Sequence, residues 1–130
     1  MPYDVASAGD HRWEERPAFG SDEPRHTVDL TTAAGLGQSR ARFWRLPAHA
    51  RGRRHSEGAQ EEVFVVIEGT LTILLGDPPE RFDLEPQSVV SVKPGTALQL
   101  RNETDSEVVL FAYGAPPVAG QSAFLDDVEL

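Results

Sequence analysis

The sequence predicts an all-β domain, closed as a barrel or folded as a double-sheet jelly roll. Three observations lead there. Short apolar runs recur along the chain, Gly- and Pro-containing turns separate them, and no stretch carries the periodicity of a long helix. Closure also removes the free sheet edges that a small all-β domain must otherwise protect. At 130 residues the chain has room for one core and no second domain.

Residues 1–26 read as an N-terminal arm. They are polar and interrupted by Pro2, Gly9, Pro17, Gly20 and Pro24, with Asp4 to Arg16 as a short helix or irregular segment. Trp13 and Phe19 are too apolar for a solvated tail, so the arm is expected to dock on the barrel or on a neighbouring subunit. The barrel spans 27–115. Val28 and Leu30 alternate with polar neighbours, and Gly35 and Gly37 mark a turn. Ser39 to Leu46 then alternates, with Ala41, Phe43 and Arg45 on one face and Arg42, Trp44 and Leu46 on the other. Apolar groups on both faces predict a strand covered on both sides.

The next strand is the apolar run Val63 to Ile67. A turn at Gly69 leads to its partner strand, which ends near Gly76. Asp77-Pro78-Pro79 turns the chain, because proline stops a ladder. Arg81 to Leu84, Ser88 to Val92 and Ala97 to Arg101 are strands, separated by turns at Glu85-Pro86-Gln87 and Pro94-Gly95. Asn102 to Ser106 is polar, and Val108 to Tyr113 is the last strong strand. Residues 116–130 read as an extended tail with at most one weak helical turn, and Asp126-Asp127 as a solvated pair.

Composition narrows the function classes. The net charge of −9 and pI of 4.8 argue against a nucleic-acid partner, since such a chain repels phosphate backbones. The absence of cysteine excludes disulfides, thiolate metal sites and a cysteine nucleophile. No leader-like start and no run long enough for a membrane helix are present, so the chain reads as soluble and cytoplasmic.

The polar residues that stand out are His55, Glu57 and Glu62, delivered just ahead of the Val63–Ile67 strand. His55-Ser56-Glu57 is followed by Glu62 and then, six residues on, by Gly69; downstream, Lys93-Pro94-Gly95 is followed by Leu98 and Asn102. These spacings resemble the two motifs of the cupin family over residues 39–113. In that pattern the first motif is H-x-H, four residues, E, six residues, G. The second places a histidine after P-x-G and an asparagine beyond it. Here the second histidine of the first motif is Glu57, the histidine of the second motif is Leu98, and an expected glycine is Gln87. His49 also stands where the family often has glycine.

The resemblance implies a double-stranded β-helix barrel and a homodimer. It also implies a metal group of His55, Glu57 and Glu62, left incomplete by Leu98. Residues two apart on a strand share a face, so His55 and Glu57 can point together. Three N/O donors suit one divalent transition metal, Mn²⁺, Fe²⁺, Ni²⁺ or Zn²⁺, with positions open to water and ligand. The same residues also fit a solvated acidic loop. Trp44, Phe64, Leu98, Leu100 and Tyr113 are the candidate pocket lining, with core or dimer packing as the alternative for the aromatic ones, Phe111 included. Arg53 and Arg54, with Arg51, are candidates to attract an anion to the barrel mouth, or else to pair with Glu57 and Glu61. His11, His26 and His49 read as surface residues. The expected function is a small-molecule-binding cupin of unknown ligand. The alternatives are a metal-dependent dioxygenase or isomerase acting on a small polar acid, and a structural protein whose barrel is filled by side chains.

Overall fold

The computed structural model describes residues 2–117 and 122–129, so parts of the expected tail, residues 118–121 and 130, lie outside the described residues. Two antiparallel sheets pack face to face. The larger runs in the order β1 (Glu14–Arg16), β2 (Arg25–Asp29), β3 (Arg40–Leu46), β10 (Val108–Ala115), β5 (Glu61–Glu68), β8 (Val89–Val92). The smaller runs β11 (Ser122–Phe124), β4 (His55–Glu57), β9 (Leu98–Arg101), β6 (Leu71–Leu75), β7 (Glu80–Leu84). This is the all-β jelly roll that the strand and turn pattern predicts.

Strand alternation builds the core. Phe64 and Val66 of β5 turn inward and meet Leu71, Ile73 and Leu98 from the other sheet, while Ile67 faces out and is half exposed. β3 is covered on both faces, as its pattern requires. Leu46 and Trp44 join the main core, and Ala41 and Phe43 form a second cluster with Val28 and Leu30 on the outer face. Trp13 of the arm packs on that second cluster, with the Arg45 guanidinium 4.0 Å from its ring. The arm therefore docks on its own barrel. Residues 4–16 hold only a 3-10 turn at Ala8–Asp10, and their end is extended as β1. The edge of β2 offers unpaired backbone groups, and pairing with them outweighs a marginal local helix. His11 is half buried against Trp13 and Phe43 rather than a free surface residue.

Two turns depend on left-handed backbone. Gly69 has φ +79°, and a Cβ there would stand 2.6 Å from the Glu107 carbonyl oxygen. His49 and Gln87 adopt φ of 64° and 75°, which explains why both stand where the resemblance leads one to expect glycine. Asn102 is buried, its Nδ2 donating to the carbonyls of Leu46 and Ser106 and its Oδ1 accepting from Thr104 N, so it holds the polar loop together.

The tail is part of the smaller sheet. β11 pairs with β4, and Leu125 N donates to Arg54 O. Asp127 is not simply solvated: its carboxylate accepts from Arg51 Nε at 2.9 Å and Gln99 Nε2 at 2.6 Å. Arg101 Nη2 adds a bond to Val128 O at 2.6 Å. No helix of the described residues is long and apolar enough to cross a membrane.

Candidate metal centre

His55 and Glu57 lie two apart on β4 and share a face. The chain then crosses from the smaller sheet to the larger through Gly58 to Gln60 and delivers Glu62 on the inward face of β5, in step with Phe64. Buried Gln60 secures the crossing, its Nε2 donating to Pro116 O at 2.9 Å. Gly95 N donates to the Glu57 carbonyl at 2.7 Å, so the Pro94-Gly95 turn anchors β4 from the side.

The three side chains converge. His55 Nε2 is 3.5 Å from Glu57 Oε1 and 3.9 Å from Glu62 Oε1, and one donor atom from each residue lies within 4.8 Å of the others. His55 Nδ1 is 3.0 Å from the Arg53 carbonyl, which can only accept. In the neutral ring the proton therefore sits on Nδ1, and the Nε2 lone pair faces the two carboxylates, the tautomer a metal ligand needs. The Ser122 hydroxyl, 2.8 and 2.9 Å from the two Glu57 oxygens, donates to that carboxylate. Glu62 Oε1 is buried with no hydrogen-bond partner among the described residues. Burial and then the neighbouring Glu57 charge push the Glu62 pKa up to about 7, with Arg40 opposing.

The group opens on a cavity of about 290 Å³. Of the expected lining, Trp44, Phe64, Leu100 and Tyr113 border it, although the register of β10 places Tyr113 on the outward face with Ala41 and Val63. Leu98 does not border the cavity. As the direct cross-strand partner of His55 it shares that residue's face, but it is sealed in the core, 1% exposed. Arg53 lines the mouth, its guanidinium 4.0 Å from the Phe124 ring. Arg54 does not: alternation turns it the other way, where it is buried and donates to Gly76 O and Asp126 O beside Asp77. Glu61 pairs with Lys93 rather than with an arginine of this cluster.

Sequence reasoning missed Arg25 and Arg40 on the cavity wall, and Ser122 and Phe124 from the tail. The inward face of β3, read as Arg42, Trp44 and Leu46, carries Arg40 by the same alternation, so that residue was within reach. Nothing local in Ser122 or Phe124 signals their pairing across more than sixty residues.

Two facing sheets of this order make a double-stranded β-helix barrel, a fold that places a concave cavity between its sheets. The chain belongs to the cupin family, whose Cupin domain matches residues 42–113. No curated protein matches the sequence. Solved structures share the fold. The polyketide cyclase RemF from Streptomyces resistomycificus is 14% identical with a TM-score of 0.76, covering 95% of this chain and 87% of that one. A predicted oxalate decarboxylase from Thermotoga maritima is 13% identical with a TM-score of 0.75, covering 86% and 98%. A sugar phosphate isomerase from Silicibacter pomeroyi is 21% identical with a TM-score of 0.73, covering 93% and 91%. At these identities the likeness establishes the fold alone, and the reactions named differ from one relative to the next.

Proposed function

We propose that this cupin binds a small molecule in its barrel cavity, beside one divalent transition-metal ion held by His55, Glu57 and Glu62. The observation that carries the reading is Glu62 Oε1, a buried acceptor without a partner among the described residues, set beside the free Nε2 of His55. An orphaned buried carboxylate oxygen is costly, and a cation removes the cost. The donor set, one imidazole and two carboxylates without thiolate, fits Mn²⁺, Fe²⁺, Ni²⁺ or Zn²⁺. When bound, such an ion supplies Lewis-acid polarisation of a ligand oxygen. The chain's own residues do the rest: Arg53 O fixes the His55 tautomer, Ser122 orients Glu57, and Trp44, Phe64 and Leu100 exclude water.

Calorimetry on tag-free protein tests this. The wild type should bind Mn²⁺ or Ni²⁺ with one ion per chain, and His55→Ala should weaken binding by at least an order of magnitude. A wild type that takes up none of the four metals sinks the proposal. The second reading is a metal-dependent dioxygenase or isomerase acting on a small polar acid. It is favoured by the open side of the His55, Glu57 and Glu62 group, which borders the cavity and would leave a ligand within reach of a bound ion.

In this proposal the 27–115 barrel carries the metal group and most of the cavity, the arm adds Arg25 and the tail adds Ser122 and Phe124 to its wall, and the protein assembles as a homodimer. The arm covers the outer face of β3, but Ile67 and Val89, on the part of the larger sheet beyond it, are 50% and 64% exposed. Apolar surface on an open sheet face is a natural contact between copies. Light scattering at micromolar concentration should report about twice the chain mass; a monomer that persists on concentration counts against the dimer.

A further inference from the structure

One wall of the cavity carries a charge that the His55 group does not use. Arg25 enters from the start of β2 and is half buried. Its guanidinium carbon lies 4.7 Å from the centroid of the Trp44 ring, and its Nε donates to Pro17 O at 2.8 Å. Its Nη1 lies against Gly52, where a Cβ would stand 2.9 Å away. Ring, carbonyl and glycine fix the plane of the guanidinium. They leave both Nη groups without a hydrogen-bond partner among the described residues.

Apart from the Trp44 ring, nothing among the described residues compensates the charge. The cross-strand neighbour of Arg25 is Arg16, a like charge whose own ion pair is with Glu14. Burial first, and Arg16 second, pull the Arg25 pKa down. Two other arginines on the wall differ. Arg42 is committed to Asp29 and Thr27, and Arg53 stacks on Phe124 at the exposed mouth. A partly desolvated guanidinium beside a second cation is unfavourable unless an anion meets it, and a free planar Nη edge matches a carboxylate. Among the described residues no carboxylate pairs with this cation, although the chain carries a net charge of −9, and that points to an anion from outside the chain.

We infer that Arg25 receives the carboxylate of the bound molecule, and that the cavity takes a small carboxylic acid with a flat apolar body. Trp44, Phe64 and Leu100 supply the apolar walls. Ala112, between Arg42 and Phe64 in the sheet register, adds only a methyl group and leaves room for a ring. The volume of about 290 Å³ lies at the low end of small-molecule pockets, which run from roughly 300 to 1,000 Å³, and suits one ring with short substituents. The inference deepens the proposed function and rests on its ligand-binding cavity, but not on the metal.

The test is calorimetry on metal-stripped protein with benzoate, its uncharged counterpart benzamide, and inorganic phosphate. Benzoate should bind the wild type at least tenfold more tightly than benzamide does, and phosphate should not displace it at equal concentration. Arg25→Gln should weaken benzoate at least tenfold, with Arg25→Lys intermediate, while Mn²⁺ affinity stays within twofold of wild type. Equal binding of benzoate and benzamide, or no benzoate binding at all, overturns the inference on the unmodified protein, whether or not the variants fold. So does displacement by phosphate, or a folded Arg25→Gln variant that binds benzoate normally. Arg25-dependent benzoate binding by a wild type that takes up no metal leaves this inference standing and removes only the metal.

Discussion

Gly69→Val should lower the free energy of unfolding by about 2–4 kcal/mol. Two penalties combine at this position. The backbone sits at φ +79°, where a β-branched residue is a steric outlier. The new Cβ would also stand 2.6 Å from Glu107 O and 3.2 Å from Val108 Cα. Both obstacles are backbone atoms at the start of β10, the strand that joins β5 to β3, so relief requires shifting the centre of the larger sheet. Gly69→Ala meets the same Cβ clash without the branched side chain and should fall between valine and wild type. Urea denaturation gives the comparison, and an unchanged midpoint for the valine variant would contradict the turn geometry.

Glu62→Gln should stabilise the metal-free protein above pH 7 and leave it unchanged near pH 4. The folded-state pKa of Glu62 is raised from 4.5 to about 7, mainly by burial. Below 4.5 the carboxyl is neutral in both folded and unfolded chains, so it adds no pH dependence. Between 4.5 and about 7 the folded chain holds a proton that the unfolded chain has lost, so stability falls as pH rises. Above about 7 the cost is constant, with a ceiling of about 3 kcal/mol at about 1.36 kcal/mol per pH unit. Glutamine keeps the shape and removes the charge, so the variant should gain about 2–3 kcal/mol over wild type at pH 8.5. Adding Mn²⁺ should reverse the order, because only the wild type retains the full donor set. Denaturant midpoints at the two pH values, with and without metal, read all four states. A variant with the same midpoints as wild type throughout would mean that Glu62 is neither desolvated nor a ligand.

Much of the barrel was legible because its signals are local. Strand alternation and the Gly and Pro turns are short-range patterns, and they located β3, β5, β6, β8, β9 and β10 closely. The grouping of His55, Glu57 and Glu62 was suggested by the resemblance to the cupin motif; strand spacing alone accounts for the shared face of His55 and Glu57, while Glu62 reaches them from the other sheet. What stayed hidden depends on long-range pairing. β1 exists because β2 leaves an edge to fill, and β11 because β4 does; neither segment carries a strong strand pattern of its own. Arg53 and Arg54 show the finer limit. Both are cationic and adjacent, and only the position of the strand boundary decides which one reaches the cavity. Arg25 was missed because what sets it apart is the lack of a carboxylate partner among the described residues, and that cannot be read from neighbours in sequence.

The strand at the tail ties two equilibria together. Ser122 donates to the same Glu57 carboxylate that an ion would use, and the rest of the latch, Asp127 with Arg51 and Arg101 with Val128, lies on the smaller sheet away from the cavity. A short strand near a chain end, held by few contacts, opens locally at much lower cost than the barrel unfolds. If occupancy of the cavity changes how firmly the tail is docked, docking changes the affinity of the cavity by the same factor, by thermodynamic reciprocity. On that condition, anything that grips or releases residues 122–129 from outside acts on the interior as well, and the strand near the end of the chain becomes a handle on a site whose rim it helps to form.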